Sequence, residues 1–227
     1  GKAGDKFVIL GNSNGLFERL YFLHGYEPAL LDLYENSDRV HALLDIILDF
    51  HVTTVKKVAA LAGKRIHAYR WCDDLGSQKQ AVMSVPMFRE FFKPRYRKLF
   101  DACHAAGWNT WLHSCGKVNE LIPELADAGL DVINLQQPRA LGIEEVASKY
   151  SGIICFECPL DIQTTLPFGT KDEMFAEAKL LIETWGTPRG GFIASDYGDG
   201  EAIGAPPAKK QMMLDAFRAA ANQRMSE

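Results

Sequence analysis

Six short apolar runs of strand character, separated by stretches of helical period, constrain this chain more than anything else in it. The runs are Phe7-Val8-Ile9-Leu10, Ile66 to Trp71, Asn109-Thr110-Trp111-Leu112, Asp131-Val132-Ile133-Asn134-Leu135, Ile153-Ile154-Cys155-Phe156 and Gly191-Phe192-Ile193-Ala194. Helical patterns lie between them: Leu16 to Leu23, Glu27 to Tyr34, a long segment that Ser37 opens and Gly63 ends, Pro86 to Ala106, Val118 to Leu125 and Lys171 to Trp185. A last one begins near Pro206-Pro207 and runs to Asn222. In the long segment Val40, Leu43, Leu44, Ile47, Val55 and Val58 recur near the helical period. Alternation of this kind predicts an α/β fold with a mostly parallel sheet.

Residues with chemistry collect just after the strands. They are Cys72-Asp73-Asp74, His113-Ser114-Cys115-Gly116, Gln136-Gln137-Pro138, Glu157-Cys158-Pro159 and Ser195-Asp196-Tyr197-Gly198. The carboxyl ends of parallel strands are where α/β folds bind ligands. The asymmetry points to a (β/α)8 TIM-barrel type, incomplete at about six βα units. One domain over residues 1–227 is expected, with the first barrel strands missing, since no linker or repeat interrupts it. An apolar content of 47% supports a core without disulfides. A net charge of −4 argues against a general nucleic-acid surface. No apolar run is long enough to span a membrane, and the first residues lack a signal core. Five cysteines without a regular framework fit a reducing compartment, so a cytoplasmic location is expected.

His113 and Cys115 are the sharpest candidates. Residues i and i+2 of a strand share a face, and imidazole and thiolate are both good zinc ligands. Asp73 and Asp74 read either as a helix cap or solvated turn or, with Gln78, as groups that position substrate or act as a general base. Adjacent strand residues point oppositely, so one of the two aspartates at most should face a site. Glu157 ends the fifth strand as a site candidate. The Cys155-x-x-Cys158 spacing there is not read as a redox pair, since Cys155 lies within the strand. Asp196 and Tyr197 head an acidic, glycine-rich loop that reads as a site wall or as a solvated loop. Asn12, Ser13 and Asn14 line the same mouth or form a plain turn. His24, His41, His51, His67 and His104 show no ligand spacing and are expected at the surface or in caps; Trp71 and Trp111 are expected in the core.

The runs Phe17-Glu18-Arg19-Leu20, His24-Gly25-Tyr26-Glu27, Asp73-Asp74-Leu75-Gly76-Ser77-Gln78 and His113-Ser114-Cys115-Gly116 together resemble the uroporphyrinogen decarboxylase superfamily. The likeness is closer to its cobalamin-dependent methyltransferase branch, and it covers nearly the whole chain as roughly the C-terminal two-thirds of such a protein. The resemblance implies zinc held by His-x-Cys and a later Cys, activating a thiol acceptor. His113 and Cys115 match the first two ligands. Tyr197 stands where the later Cys is expected, and Gln137 stands near the glutamate of more distant relatives. Asp196, Glu157 and Tyr197 are then the groups offered to complete the shell, with Asp73 and Gln78 orienting substrate.

The implied function is methyl transfer or O-demethylation in a corrinoid-dependent system. Its partners are a small-molecule methyl donor or thiol acceptor and a separate protein carrying the corrinoid. The alternative is a decarboxylase (a carboxy-lyase) without metal, although the arginine-rich N-terminal motif of the true decarboxylases is not in this chain. A third reading is a barrel that binds a ligand or partner without turnover. Open sheet edges invite pairing, so the chain is expected either to self-associate as a homo-oligomer or to be a segment of a longer gene product.

Overall fold

A computed structural model describes residues 4–12 and 14–226, with Asn12, Met225 and Ser226 described in backbone alone; Ser13 lies outside the described residues. Six strands, β1 (Ile9–Asn12), β2 (Ala68–Cys72), β3 (Asn109–His113), β4 (Val132–Asn134), β5 (Cys155–Cys158) and β6 (Phe192–Ala194), alternate with helices. They take chain order in the sheet, β1-β2-β3-β4-β5-β6, so β1 and β6 end an open sheet rather than closing a barrel. The fold is α/β, of incomplete barrel type.

By its internal contacts the chain divides into two compact units. The first comprises Gly1–Leu75, Ala81–Ser114 and Glu120–Val132. Its strands are parallel, with Ile9 opposite Ala68 and Gly11 opposite Arg70. Arg70 in turn lies opposite Trp111, and Cys72 opposite His113. Tyr69 and Trp71 point the other way, and Trp71 packs 6.1 Å from the ring of Phe100. Helices α1 (Leu16–His24), α2 (Tyr26–Glu35) and α3 (Ser37–Ala62) follow β1. The α3 period anticipated from sequence buries Val40, Leu44, Ile47 and Val55.

The expected helix from Pro86 is broken by a π-helical turn, Phe88–Phe92, before Lys93–Ala105. Pro94 explains the break, because it has no N–H for the Glu90 carbonyl and its ring would crowd it. The wider turn lets Lys93 N–H reach the Phe88 carbonyl instead. Phe88, Tyr96 and Phe100 then stack in series beside α1, whose Phe17 meets Phe92 edge-on.

The second unit comprises Gly76–Gln80, Cys115–Asn119 and Ile133–Glu227. Phe156 and Cys158 of β5 lie opposite Phe192 and Ala194 of β6. The Lys171–Trp185 helix has the bounds expected from sequence and starts with a capping box between Thr170 and Glu173. The Pro207–Ser226 helix packs on it. Ile143–Tyr150, which the sequence pattern did not reveal, is a short helix that buries Ile143 and Val146 behind Gly142 at φ +81°.

The two units are each anchored by a buried aspartate acting on backbone N–H groups. In the second unit, Asp161 holds the Gln163 and Thr164 amides at 3.0 Å each. In the first, Asp73 reaches across 57 residues to α1. Its Oδ2 accepts from Leu16 N–H at 2.7 Å and Phe17 N–H at 2.9 Å, and its Oδ1 from Glu18 N–H at 2.6 Å. Tyr96 Oη–H donates to the same carboxylate. Gly15, the residue before α1, has no side chain to cap with, and an added Cβ there would lie 2.5 Å from Asp73 Oδ2. Glycine is therefore required by close approach, and the cap comes from the strand end instead. Asp73→Ala would strand three buried amides and the Tyr96 hydroxyl. We expect it to cost about 3 kcal/mol or more in urea unfolding, and a loss below about 1 kcal/mol would show that α1 does not depend on this cap.

His51 departs from its expected surface position: α3 places it in the core at 1% exposure. Neither ring nitrogen makes a hydrogen bond of standard geometry among the described residues. Burial pushes its pKa down to about 4; the Gly15 backbone opposes that, and Arg19 adds to it. The fold therefore favours the neutral ring, and this contribution is full above the unfolded value near 6.5 and lost as pH falls toward 4. His51→Leu should flatten this acid limb by up to about 3 kcal/mol between pH 7 and pH 4. Chemical unfolding of both proteins across that range measures it; parallel pH profiles would refute the assignment.

Candidate metal centre

Parallel register assembles the site. Because Cys72 lies opposite His113, their side chains share one face of the sheet, and Asp74, two residues on, returns to that face. One ligand atom from each of Cys72, Asp74 and His113 lies within 4.8 Å of the others. His113 is 8% exposed, and its Nε2 stands 3.6 Å from Asp74 Oδ1. The two aspartates thus divide as strand parity requires: Asp73 turns to cap α1 and is fully buried, while Asp74 turns to the imidazole.

The cap also positions a carboxylate beside Cys72. Glu18, in the first turn of α1, is 6% exposed, and the Cys72 thiol donates to its Oε1 at 3.7 Å. Burial, followed by the Asp73 and Asp74 charges, raises its carboxyl to about 7. Burial also raises Asp73 to about 6, against the hydrogen bonds from Tyr96 and the α1 amides. Tyr96 is held well above its ordinary value by burial and by Asp73. Tyr21, on α1, is pushed up to about 12 by burial and then by Glu18.

The other candidates lie in different settings. Asp73 has its carboxylate engaged by four donors, three of them the leading amides of α1. Gln78 is exposed in the Ser77–Gln80 turn, where the Ser77 hydroxyl donates to the Gln80 carbonyl at 2.7 Å. Cys115 Sγ stands 3.9 Å from Gln136 Oε1, and Gln137 Oε1 accepts from Gly116 N–H at 2.7 Å. Gln137 thus holds the His-x-Cys-Gly turn by hydrogen bonding. Glu157 is buried on β5, where its carbonyl accepts from Leu135 N–H at 2.9 Å. Asp196 is exposed and pairs with Lys210 Nζ at 2.9 Å; Tyr197 beside it is half-buried. Cys115 and Asp196 are not among the converging ligand atoms of the described residues. Burial raises Cys155 to about 11 and holds Cys158 well above its ordinary value, the opposite of what a redox thiol needs.

Sequence reasoning missed Cys72. The signal for Cys72 was its i, i+2 spacing to Asp74, the same spacing that singled out His113 and Cys115. Glu18, which contacts the Cys72 thiol, carried no local signal, since a long-range cap brings it there.

The donor set of one thiol, one imidazole and one carboxylate suits a zinc-type cation. A strand-end centre in an open parallel α/β sheet defines the class to which the chain conforms. The sequence matches the Uroporphyrinogen decarboxylase (URO-D) family over residues 2–220, and the chain belongs to that family. It is 30% identical over 105 residues to methylcobamide:CoM methyltransferase MtaA of Methanosarcina barkeri, a stretch covering 45% of this chain and 29% of that protein. The fold matches a methyltransferase from Methanosarcina mazei with a TM-score of 0.70 at 20% identity, over 96% of this chain and 60% of the other. It also matches D-psicose 3-epimerase at a TM-score of 0.52 and 15% identity, over 97% of this chain and 78% of that one. The chain thus spans less than two-thirds of the methyltransferases it resembles. These likenesses agree with the corrinoid methyltransferase side of the family.

Zinc in near-stoichiometric amount is expected in protein purified under reducing conditions, and it should fall sharply in both Cys72→Ser and His113→Ala. Elemental mass spectrometry checks this; retention of full zinc in Cys72→Ser would remove Cys72 from the centre.

Proposed function

We propose that this chain carries the methyl-transfer site of a corrinoid-dependent system. The convergence of Cys72, Asp74 and His113 at two adjacent strand ends carries the reading, and the likeness to a methylcobamide:CoM methyltransferase supports it. Cys72, Asp74 and His113 would hold a divalent cation. When bound, such a cation lowers the pKa of a thiol or polarises an oxygen. Asp73 keeps the first turn of α1 fixed against β2, so the ligands meet at a set geometry. The buried flanks, Trp71 and Leu112 among them, anchor the strand ends so that the site does not drift.

The methylated corrinoid is a substrate, presented by a separate protein. Its methyl group transfers to the thiolate as a formal methyl cation. The sulfur lone pair forms the new bond, the cobalt–carbon electron pair stays on cobalt, and the thiol proton passes to solvent. The small acceptor is a thiol.

Loss of methylcobalamin absorbance in the presence of a small thiol, with the protein as catalyst, tests the reading. His113→Ala should lower the rate more than about 100-fold, at or beyond the upper end of what loss of a group supporting a metal ligand costs. Catalysed carbon dioxide release from an acidic tetrapyrrole, unchanged in His113→Ala and without methyl transfer, would replace this reading with the decarboxylase one.

A further inference from the structure

We infer that α3 is a self-association surface, on which a second copy of this chain lays its own α3 antiparallel. The sides of this helix differ. Its core face buries Val40, Leu44, Ile47 and Val55. One flank is taken by the Lys93–Ala105 helix, from which Arg95 donates to Asp45 Oδ1 at 2.9 Å and to the His41 carbonyl at 3.0 Å. The opposite flank carries Leu43, Ile46, Phe50, Thr53, Lys57 and Ala60. Their spacings alternate between three and four residues, as in the seam of a two-stranded coiled coil. At 3.6 residues per turn the six positions fall within an arc of roughly 100°. Ile46 and Phe50 are 68% and 58% exposed, and Leu61 beside the seam is 79% exposed. Single apolar residues scattered over a surface are ordinary, but a row along one flank of a 26-residue helix marks an interface.

Charge identifies the occupant. Asp49 lies beside the seam in the N-terminal half of α3 and Lys56 beside it in the C-terminal half, and both are exposed. Both stand more than a turn inside the helix, where its dipole no longer selects the sign of a charge. Antiparallel pairing that sets Phe50 against Thr53 of the other copy also sets Ile46 against Lys57 and Leu43 against Ala60. In that same register Asp49 of each copy meets Lys56 of the other, so one two-fold axis yields two opposite-charge pairs. A parallel pairing would instead bring Asp49 to Thr54 and Lys56 to Leu61. The Lys57 stem lies along Ile46 in the antiparallel register while its ammonium reaches solvent. From Leu43 to Leu61 the seam is about 27 Å long at 1.5 Å per residue. One helix pair of that length sits at the small end of specific interfaces, so the dimer should form at micromolar rather than nanomolar concentration. The contact uses α3 and not the open edges of the sheet.

The experiment is sedimentation velocity of the purified chain across the micromolar range, with circular dichroism to check that each variant is folded. The parent should pass from monomer to dimer as its concentration rises. Ile46→Glu, which puts a charge into the seam, should weaken the dimer at least about tenfold. Asp49→Lys and Lys56→Asp each set like charges together, and each should weaken it several-fold, more so at low salt. The double variant Asp49→Lys/Lys56→Asp restores opposite charges in reversed order and should return the dimer to near the parent's strength. A parent that stays monomeric throughout would overturn the inference. Self-association that Ile46→Glu leaves unchanged would overturn it too, and would move the contact to another surface such as a sheet edge. Single reversals that weaken the dimer with no recovery in the double variant would overturn the antiparallel pairing.

Discussion

One carboxylate ties the first unit together. Asp73 sits at the end of β2 and holds the three leading amides of α1, with Tyr96 from the Lys93–Ala105 helix on the same oxygens. A helix start, a strand end and a packed aromatic stack therefore share one buried group. Removing it would expose unsatisfied donors on two elements at once, a larger loss than an ordinary cap at a solvent-exposed helix. The arrangement also explains why Gly15 has no side chain: the space a Cβ would fill belongs to Asp73.

The site follows from that join and from strand parity. In a parallel sheet, residues in register point the same way, so β2 and β3 present Cys72 and His113 side by side. Asp74 falls on the same face by alternation, and Asp73 on the other. The same two-residue period thus separates a structural aspartate from a candidate ligand in adjacent positions. Glu18 reaches Cys72 from a different element because its helix is anchored at that strand end.

The architecture was readable from sequence because its signals are local. Alternating apolar runs and helical periods located all six strands and the long helices within a few residues. The π-turn at Phe88–Phe92 was less legible, since Pro94 is tolerated near a helix start and the sequence alone does not say that one precedes it. For the site, strand-end residues were identified as a class, and the opposite facing of Asp73 and Asp74 followed from alternation. Their partners did not, since pairing Cys72 with His113 requires the register between two strands some forty residues apart. His51 shows the converse limit. A histidine without ligand spacing looks like a surface residue, yet the buried stripe of α3 runs through it.

The distance along the chain between α1 and its cap bears on how the molecule folds. With glycine before it and its capping group 57 residues later, α1 has no local signal to start it. Such a helix gains its full stability only once β2 has docked, so the closure of that long loop precedes it. During synthesis, α1 would therefore stay labile until residues beyond Asp73 were available, and the interval between the two is when this segment most needs protection from premature association.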